Sequence, residues 1–143
     1  MNEIQSPRRL GRSLVALLAG MFAGILLSLG TDYVLHAIGL FPPLGQPVSS
    51  PLLLLATVYR TVYGVAGAYI AARLAPNQPM MHALVLGMLG FVVSLVGAVV
   101  TWNMGPAYGP HWYPVALVVL AIPTAWVGGK LRLLQLGANP ASQ

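Results

Sequence analysis

The chain contains no cysteine and only two acidic residues, Glu3 and Asp32, in 143 positions. Without cysteine there are no disulfides, thiolate metal sites or thiol nucleophiles, and the redox compartment is left open. Asp32 is the one carboxylate beyond the extreme N-terminus, so chemistry that needs two carboxylates has nothing to work with. Charge of either sign is scarce: 6% of residues, against about 25% in an ordinary soluble domain. Length alone would suit one soluble domain. Composition excludes it, because a soluble fold needs a polar shell that these residues cannot supply.

Apolar residues are what the chain has instead. They reach 57%, and mean hydropathy is +0.79. A hydrocarbon core of about 30 Å takes about 20 apolar residues in a helix. Four runs satisfy this, at about 13–39, 52–74, 80–103 and 115–134. Pro51, Pro79 and Pro114 stand where helices can begin, since the missing N–H of proline would be an unpaired donor there anyway. "FPPLGQPVSS" (41–50) breaks the first run from the second. The sequence therefore predicts an all-α integral membrane protein with four transmembrane helices. Residues 1–12 form a basic N-terminal segment, 13–134 the transmembrane domain and 135–143 a flexible tail.

The few basic residues give the direction. Arg8, Arg9 and Arg12 precede span one, Arg73 closes span two, and Lys130 and Arg132 close span four. The opposite connections, 40–51 and 104–114, have neither Lys nor Arg. The positive-inside bias then assigns both termini to the cytoplasm and the chain to the inner (plasma) membrane. The net charge of +5 suits anionic lipid rather than nucleic acid, because no basic patch is interleaved with aromatics. "SPRRLGRSLVALLAG" superficially matches a secretory or twin-arginine signal. Pro7 interrupts the motif and no small-residue cleavage site follows, so a retained first helix is expected.

Two similarities hint at a duplicated helical hairpin. "GMFAGILLSLG" (20–30) resembles "GMLGFVVSLVG" (87–97) with one gap, and "AYIAARL" (68–74) matches "AWVGGKL" (125–131) by residue type. Repeats two spans apart share orientation, giving a parallel two-plus-two arrangement. The plainer explanation is that lipid-facing helices ending in a basic anchor look alike.

Asp32 sits inside an apolar run, where a charge costs about 2.5–3.5 kcal/mol on insertion scales and normally finds a partner. Ala16, Gly20, Gly24, Ser28, Asp32 and His36 recur every fourth residue along span one. Ala56, Arg60, Gly64, Ala68 and Ala72 do so along span two. Small residues at this spacing let helices approach closely in lipid. If the two ridges face each other, Asp32 meets Arg60. Arg60 lies nine residues beyond Pro51, about 13 Å down the helix at 1.5 Å per residue, and Asp32 sits at a similar level. A register lock between spans one and two is the plainer role for such a pair. A gate or proton relay is the sharper one, but a pathway needs polar residues along its length, and Ser28, Thr57 and Thr61 are nearly all there is.

Other candidates are weaker. His36, one turn beyond Asp32, could accept its hydrogen bond; His111 lies in the second outer connection, and their separation suits no zinc or di-iron spacing, so no metal is expected. Tyr33, Tyr59, Tyr63, Trp102 and Trp112, with these histidines, could border a haem or quinone pocket near the outer surface; an aromatic belt at headgroup depth accounts for the rings equally well. His82, near Arg73, reads as a cytoplasmic-side anchor. Gly128-Gly129-Lys130 lacks the upstream glycine and the following Ser/Thr of a phosphate loop, and Pro123 should kink span four.

Three functions remain. The first is a non-enzymatic helix-packing protein, either a homo-oligomer or an accessory subunit of a larger membrane complex. The second is a small channel or transporter with an outer vestibule at Asp32, Arg60 and His36. The third is a haem- or quinone-binding membrane subunit.

Overall fold

The computed structural model describes residues 7–138. Four α-helices make up the fold: α1 (Pro7–Ala37), α2 (Ser50–Leu74), α3 (Pro79–Thr101) and α4 (Trp112–Ala138). A single 3-10 turn, Pro106–Tyr108, interrupts the α3–α4 connection, and there is no strand among the described residues. All four helices are long and apolar enough to cross a membrane.

Proline and turn chemistry set the boundaries. Pro51 is the second residue of α2 and Pro79 the first of α3, within the first turn where no intrahelical donor is lost. Gln78 turns the chain between them in a left-handed conformation, with φ +44°. Its carbonyl accepts from the amides of Met81 and His82. Two helices outrun the apolar stretches that announced them. α1 begins at Pro7, so Arg8, Arg9 and Arg12 ride on its first turns, and α4 continues to Ala138. Apolar composition marks what lipid can surround; backbone hydrogen bonding carries a helix further. Residues 1–6 of the expected basic segment and 139–143 of the expected tail lie outside the described residues.

α1 packs on α2, α3 on α4, and the two hairpins join through α2 and α4. α2 also borders α3, whereas α1 and α3 barely meet. The interior is built from alanine: Ala16, Ala68, Ala71, Ala72, Ala83 and Ala125 are buried, and no large side chain among the described residues is fully enclosed. Outside, Leu26, Val93 and Val99 are 66%, 71% and 69% exposed. This reverses a soluble protein's distribution. In hydrocarbon a leucine loses nothing by facing outward, and helices associate by close approach of small residues.

The closest approaches are at glycines. A Cβ on Gly20 would strike the Gly67 carbonyl oxygen, and one on Gly67 would lie 2.6 Å from the Gly20 oxygen. This reciprocal contact is the α1–α2 crossing. Gly87 meets Ala125 where α3 crosses α4. Gly128 packs against α2, 2.7 Å from Ala68 Cβ for an added methyl, and Gly129 against α3, 2.9 Å from Ala83 Cβ. Val65, Met80 and Tyr69 complete these contacts.

Gly64 and Ala68 do not continue the α1-facing ridge expected of them. Gly64 points at Thr124 and Ala68 at Gly128, both on α4. Helical geometry explains the difference. At about 100° per residue, each i+4 step drifts by about 40°, so the position in line with Arg60 two turns on is Gly67, then Ala71. Those are the residues against Gly20. Gly24, expected as an equal partner, is looser: a Cβ there would meet only the Tyr63 oxygen, at 3.5 Å.

Candidate functional site

Asp32 and Arg60 are brought together at the loop-40 end of the first hairpin. Arg60 Nη2 donates to Asp32 Oδ2 at 2.5 Å. The other carboxylate oxygen, Oδ1, accepts from the Tyr59 hydroxyl. Arg60 also lies over the Tyr59 ring, 6.0 Å from its centroid. One step along α1, Thr31 Oγ1 and the Tyr63 hydroxyl are 2.8 Å apart. Tyr59 and Tyr63 stand one turn apart on α2, with ring centroids separated by 5.9 Å. Two adjacent residues of α1 thus meet three residues from two turns of α2.

Both oxygens of Asp32 are therefore engaged from α2, and its side chain is 21% exposed against 33% for Arg60. The guanidinium keeps unspent donors. Its Nε is shielded and has no acceptor among the described residues. Thr57 and Thr61 spend their hydroxyls on their own helix, donating to the carbonyls of Leu53 and Thr57 at 2.9 and 2.7 Å. Such back-bonding satisfies a hydroxyl in an apolar setting without help from a neighbour.

His36 departs from expectation. Its Nδ1 lies 2.7 Å from the backbone oxygen of Asp32, not from the carboxylate. A carbonyl only accepts, so Nδ1 carries the proton. The carboxylate is already occupied by Tyr59 and Arg60, which leaves His36 to its own helix turn and an edge-on contact with Phe41 at 5.4 Å. His111 is also locally employed: Nε2 donates to the Trp102 oxygen at 2.9 Å, and the two rings stack at 4.0 Å. No group of three or more potential ligands gathers for a metal among the described residues.

The expected outer aromatic pocket does not assemble. Tyr33 is 76% exposed, and Trp102 and Trp112 are exposed as well. A cavity instead lies lower, among all four helices, with about 370 Å³ of free volume. Of the seven residues expected to border a pocket, only Tyr63 lines it; Arg60, Gly20, Gly24, Ser28, Gly64 and Ala68 do so too.

A second polar junction ties α1 to α3 at the opposite end. His82 is buried, with Nδ1 3.2 Å from the Gln78 oxygen and Nε2 2.9 Å from Ser13 Oγ. The Gln78 carbonyl only accepts, so Nδ1 carries a proton, and Nε2 pairs with the Ser13 hydroxyl. His82 is thus an internal clasp and not the interfacial anchor read from its place near Arg73. Arg73 joins another set: it donates to the Tyr69 hydroxyl at 3.3 Å, Tyr69 donates to Gln135 Oε1 at 2.7 Å, and Arg132 donates to the same oxygen at 2.7 Å. This chain links the basic ends of α2 and α4. Gly128-Gly129, which faintly resembled a phosphate loop, is a packing element. Comparison with protein-family models, with curated proteins and with solved structures finds no match.

Proposed function

We propose that the protein is a non-enzymatic, multi-pass protein of the inner (plasma) membrane that works through helix–helix contacts, as a homo-oligomer or as an accessory subunit of a larger membrane complex. The observation that carries this reading is that the one intramembrane carboxylate is fully engaged within the first hairpin. Asp32 spends one oxygen on Tyr59 and the other on Arg60, and Thr31 pairs with Tyr63. All these contacts join α1 to α2, as a lock would. Below them the cavity walls are mainly apolar, with Gly24, Ile25, Gly64, Leu86 and Leu89 beside the scattered hydroxyls of Ser28, Thr61, Ser94 and Thr124 and no charge beyond Arg60, and the Gly20–Gly67 crossing lies at their foot. A conduction path would need polar groups to continue there.

Orientation follows from charge. Arg8, Arg9 and Arg12 on the start of α1, Arg73 at the end of α2, and Lys130 and Arg132 late in α4 all belong to one end of an up–down bundle. That end is cytoplasmic by the positive-inside rule, with both termini there. The parallel two-plus-two repeat fits the packing: Gly20 and Gly87, which open the two similar stretches, each make a close crossing within their own hairpin. Surfaces for further helices remain, since Gly97 on α3 and Gly30 on α1 have open space around them.

Two measurements together test the reading. Native mass spectrometry of protein extracted from membranes should give a multimer or a stoichiometric complex, and reconstituted liposomes should show no solute or ion flux above protein-free controls. A monomer that conducts, and stops conducting on Asp32→Asn, would replace the scaffold with the transporter.

A further inference from the structure

Arg73 and Arg132 are like charges that the fold draws together, and the cause is a close helix crossing. Gly128 lets α4 approach α2 so nearly that an added Cβ would lie 2.7 Å from Ala68 Cβ and 2.8 Å from the Tyr69 amide nitrogen. α2 and α4 run the same way in the up–down bundle. One turn beyond that contact, the same faces carry Arg73, four residues after Tyr69, and Arg132, four after Gly128. Their heads are linked through only two oxygens. Arg73 Nη1 donates to the Tyr69 hydroxyl, which donates to Gln135 Oε1, and Arg132 Nη1 donates to that same oxygen. Arg73 is exposed and Arg132 half-buried.

Such a pair calls for an anion. The Tyr69 and Gln135 oxygens are neutral, and among the described residues the one ion pair is Arg60 with Asp32, at the opposite end of the bundle. The carboxyl end of a helix contributes about half a negative charge, so the ends of α2 and α4 offset the two guanidiniums only in part. Basic anchors that served orientation alone would extend separately into water; these two converge on one acceptor. Each guanidinium has five N–H donors in a planar fork suited to the oxygens of a phosphate. The level also fits. Arg73 is the last residue but one of α2, whose 25 residues span about 37 Å against a hydrocarbon core of about 30 Å, so its final turn reaches the headgroup layer. Basic pockets between helices on the cytoplasmic side are known to hold acidic headgroups. We propose that the joined ends of α2 and α4 bind one phosphate group, the phosphodiester of an anionic phospholipid, across Arg73 and Arg132. The site rests on the membrane-spanning reading and stands whichever partners the chain has.

The test uses the full chain, delipidated in dodecylmaltoside, with dioleoylphosphatidylglycerol as the probe and dioleoylphosphatidylcholine as its zwitterionic control. Native mass spectrometry should retain one phosphatidylglycerol per chain where phosphatidylcholine is lost, and saturating probe should raise the unfolding temperature. Arg73→Gln should weaken binding about tenfold, the worth of one charge-assisted hydrogen bond. Its ligand-free unfolding temperature should stay near wild type, because Arg73 is exposed. Arg132→Gln should weaken binding equally and serves if Arg73→Gln folds poorly. Lys130→Gln removes the same charge from an exposed residue at the same end and should bind as wild type. Inorganic phosphate should not raise the unfolding temperature; stabilisation by phosphate without retained phosphatidylglycerol would overturn the lipid assignment. Equal retention of the two lipids, or equal loss in the Lys130 variant, would also overturn it and mark a diffuse attraction between a basic surface and anionic lipid. Protein that stays folded in detergent yet retains no phosphatidylglycerol would remove the site and leave the membrane-spanning reading in place.

Discussion

Gly20→Ala and Gly24→Ala should change stability in opposite directions, although the two glycines look alike in sequence. Both sit inside α1, where replacing glycine by alanine favours the helix by about 1 kcal/mol. At Gly24 the new methyl meets one atom at 3.5 Å, an ordinary contact. The helix gain survives there, and the variant should be more stable by about 0.5–1 kcal/mol. At Gly20 the methyl runs into the Gly67 carbonyl, with Ala71 Cβ at 2.9 Å and a Leu86 methyl at 3.0 Å. Leu86 can rotate away; a backbone carbonyl cannot. The whole α1–α2 crossing must widen, which weakens its neighbours as well. Overpacking of this kind costs about 1–3 kcal/mol, and the immovable obstacle puts Gly20 toward the upper end. Net destabilisation of about 1–2 kcal/mol remains after the helix gain is subtracted. Unfolding in a mild detergent, followed by circular dichroism against temperature, measures both variants. Shifts of the same sign and size would mean that the crossing is not at Gly20 and that the α1–α2 packing described is wrong.

Three further outcomes are expected. A reporter fused after Gln143 should be active only when it is a cytoplasmic type; activity of a periplasmic-type reporter would reverse the orientation. Ser13→Ala should cost about 1 kcal/mol, because it removes one partner of the buried His82, whereas Arg73→Ala should leave the α1–α3 junction unaffected; equal effects would restore His82 to an anchoring role. Tyr63→Phe and Thr31→Val should each destabilise by about 0.5–1.5 kcal/mol and couple in a double-mutant cycle, and independent effects would mean the two hydroxyls do not bond in the membrane.

Helix number and approximate position are legible because runs of about twenty predominantly apolar residues are hard to mistake. The approach of Asp32 to Arg60 is legible for a different reason: an arginine is long enough to absorb an error in helix rotation. Small residues offer no such tolerance. The i+4 ridge chosen on α2 holds at Arg60 and has drifted from α1 by Gly64 and Ala68, where a spacing of seven would have found Gly67. Tyr59 belongs to the pair although it lies off the ridge, because a phenol reaches around its helix. The Ser13–His82 clasp joins positions 69 residues apart with no motif to announce it. The cavity among the four helices is equally silent, because its lining comes from four separate segments with no shared spacing.

The central claim is that Asp32 and Arg60 lock the first hairpin. A double-mutant cycle of unfolding free energies over Asp32→Leu, Arg60→Leu and the double variant, in detergent and in bilayers, tests it most directly. Breaking a buried ion pair costs about 3–5 kcal/mol in soluble proteins, and exposed pairs are worth about 0–1 kcal/mol. With side chains 33% and 21% exposed, each single variant should lose about 1–3 kcal/mol, between those limits. The double variant should recover much of that loss, because leucines in place of a matched pair leave no orphaned charge. Single-variant losses that simply add, with no coupling between the two positions, would contradict the lock.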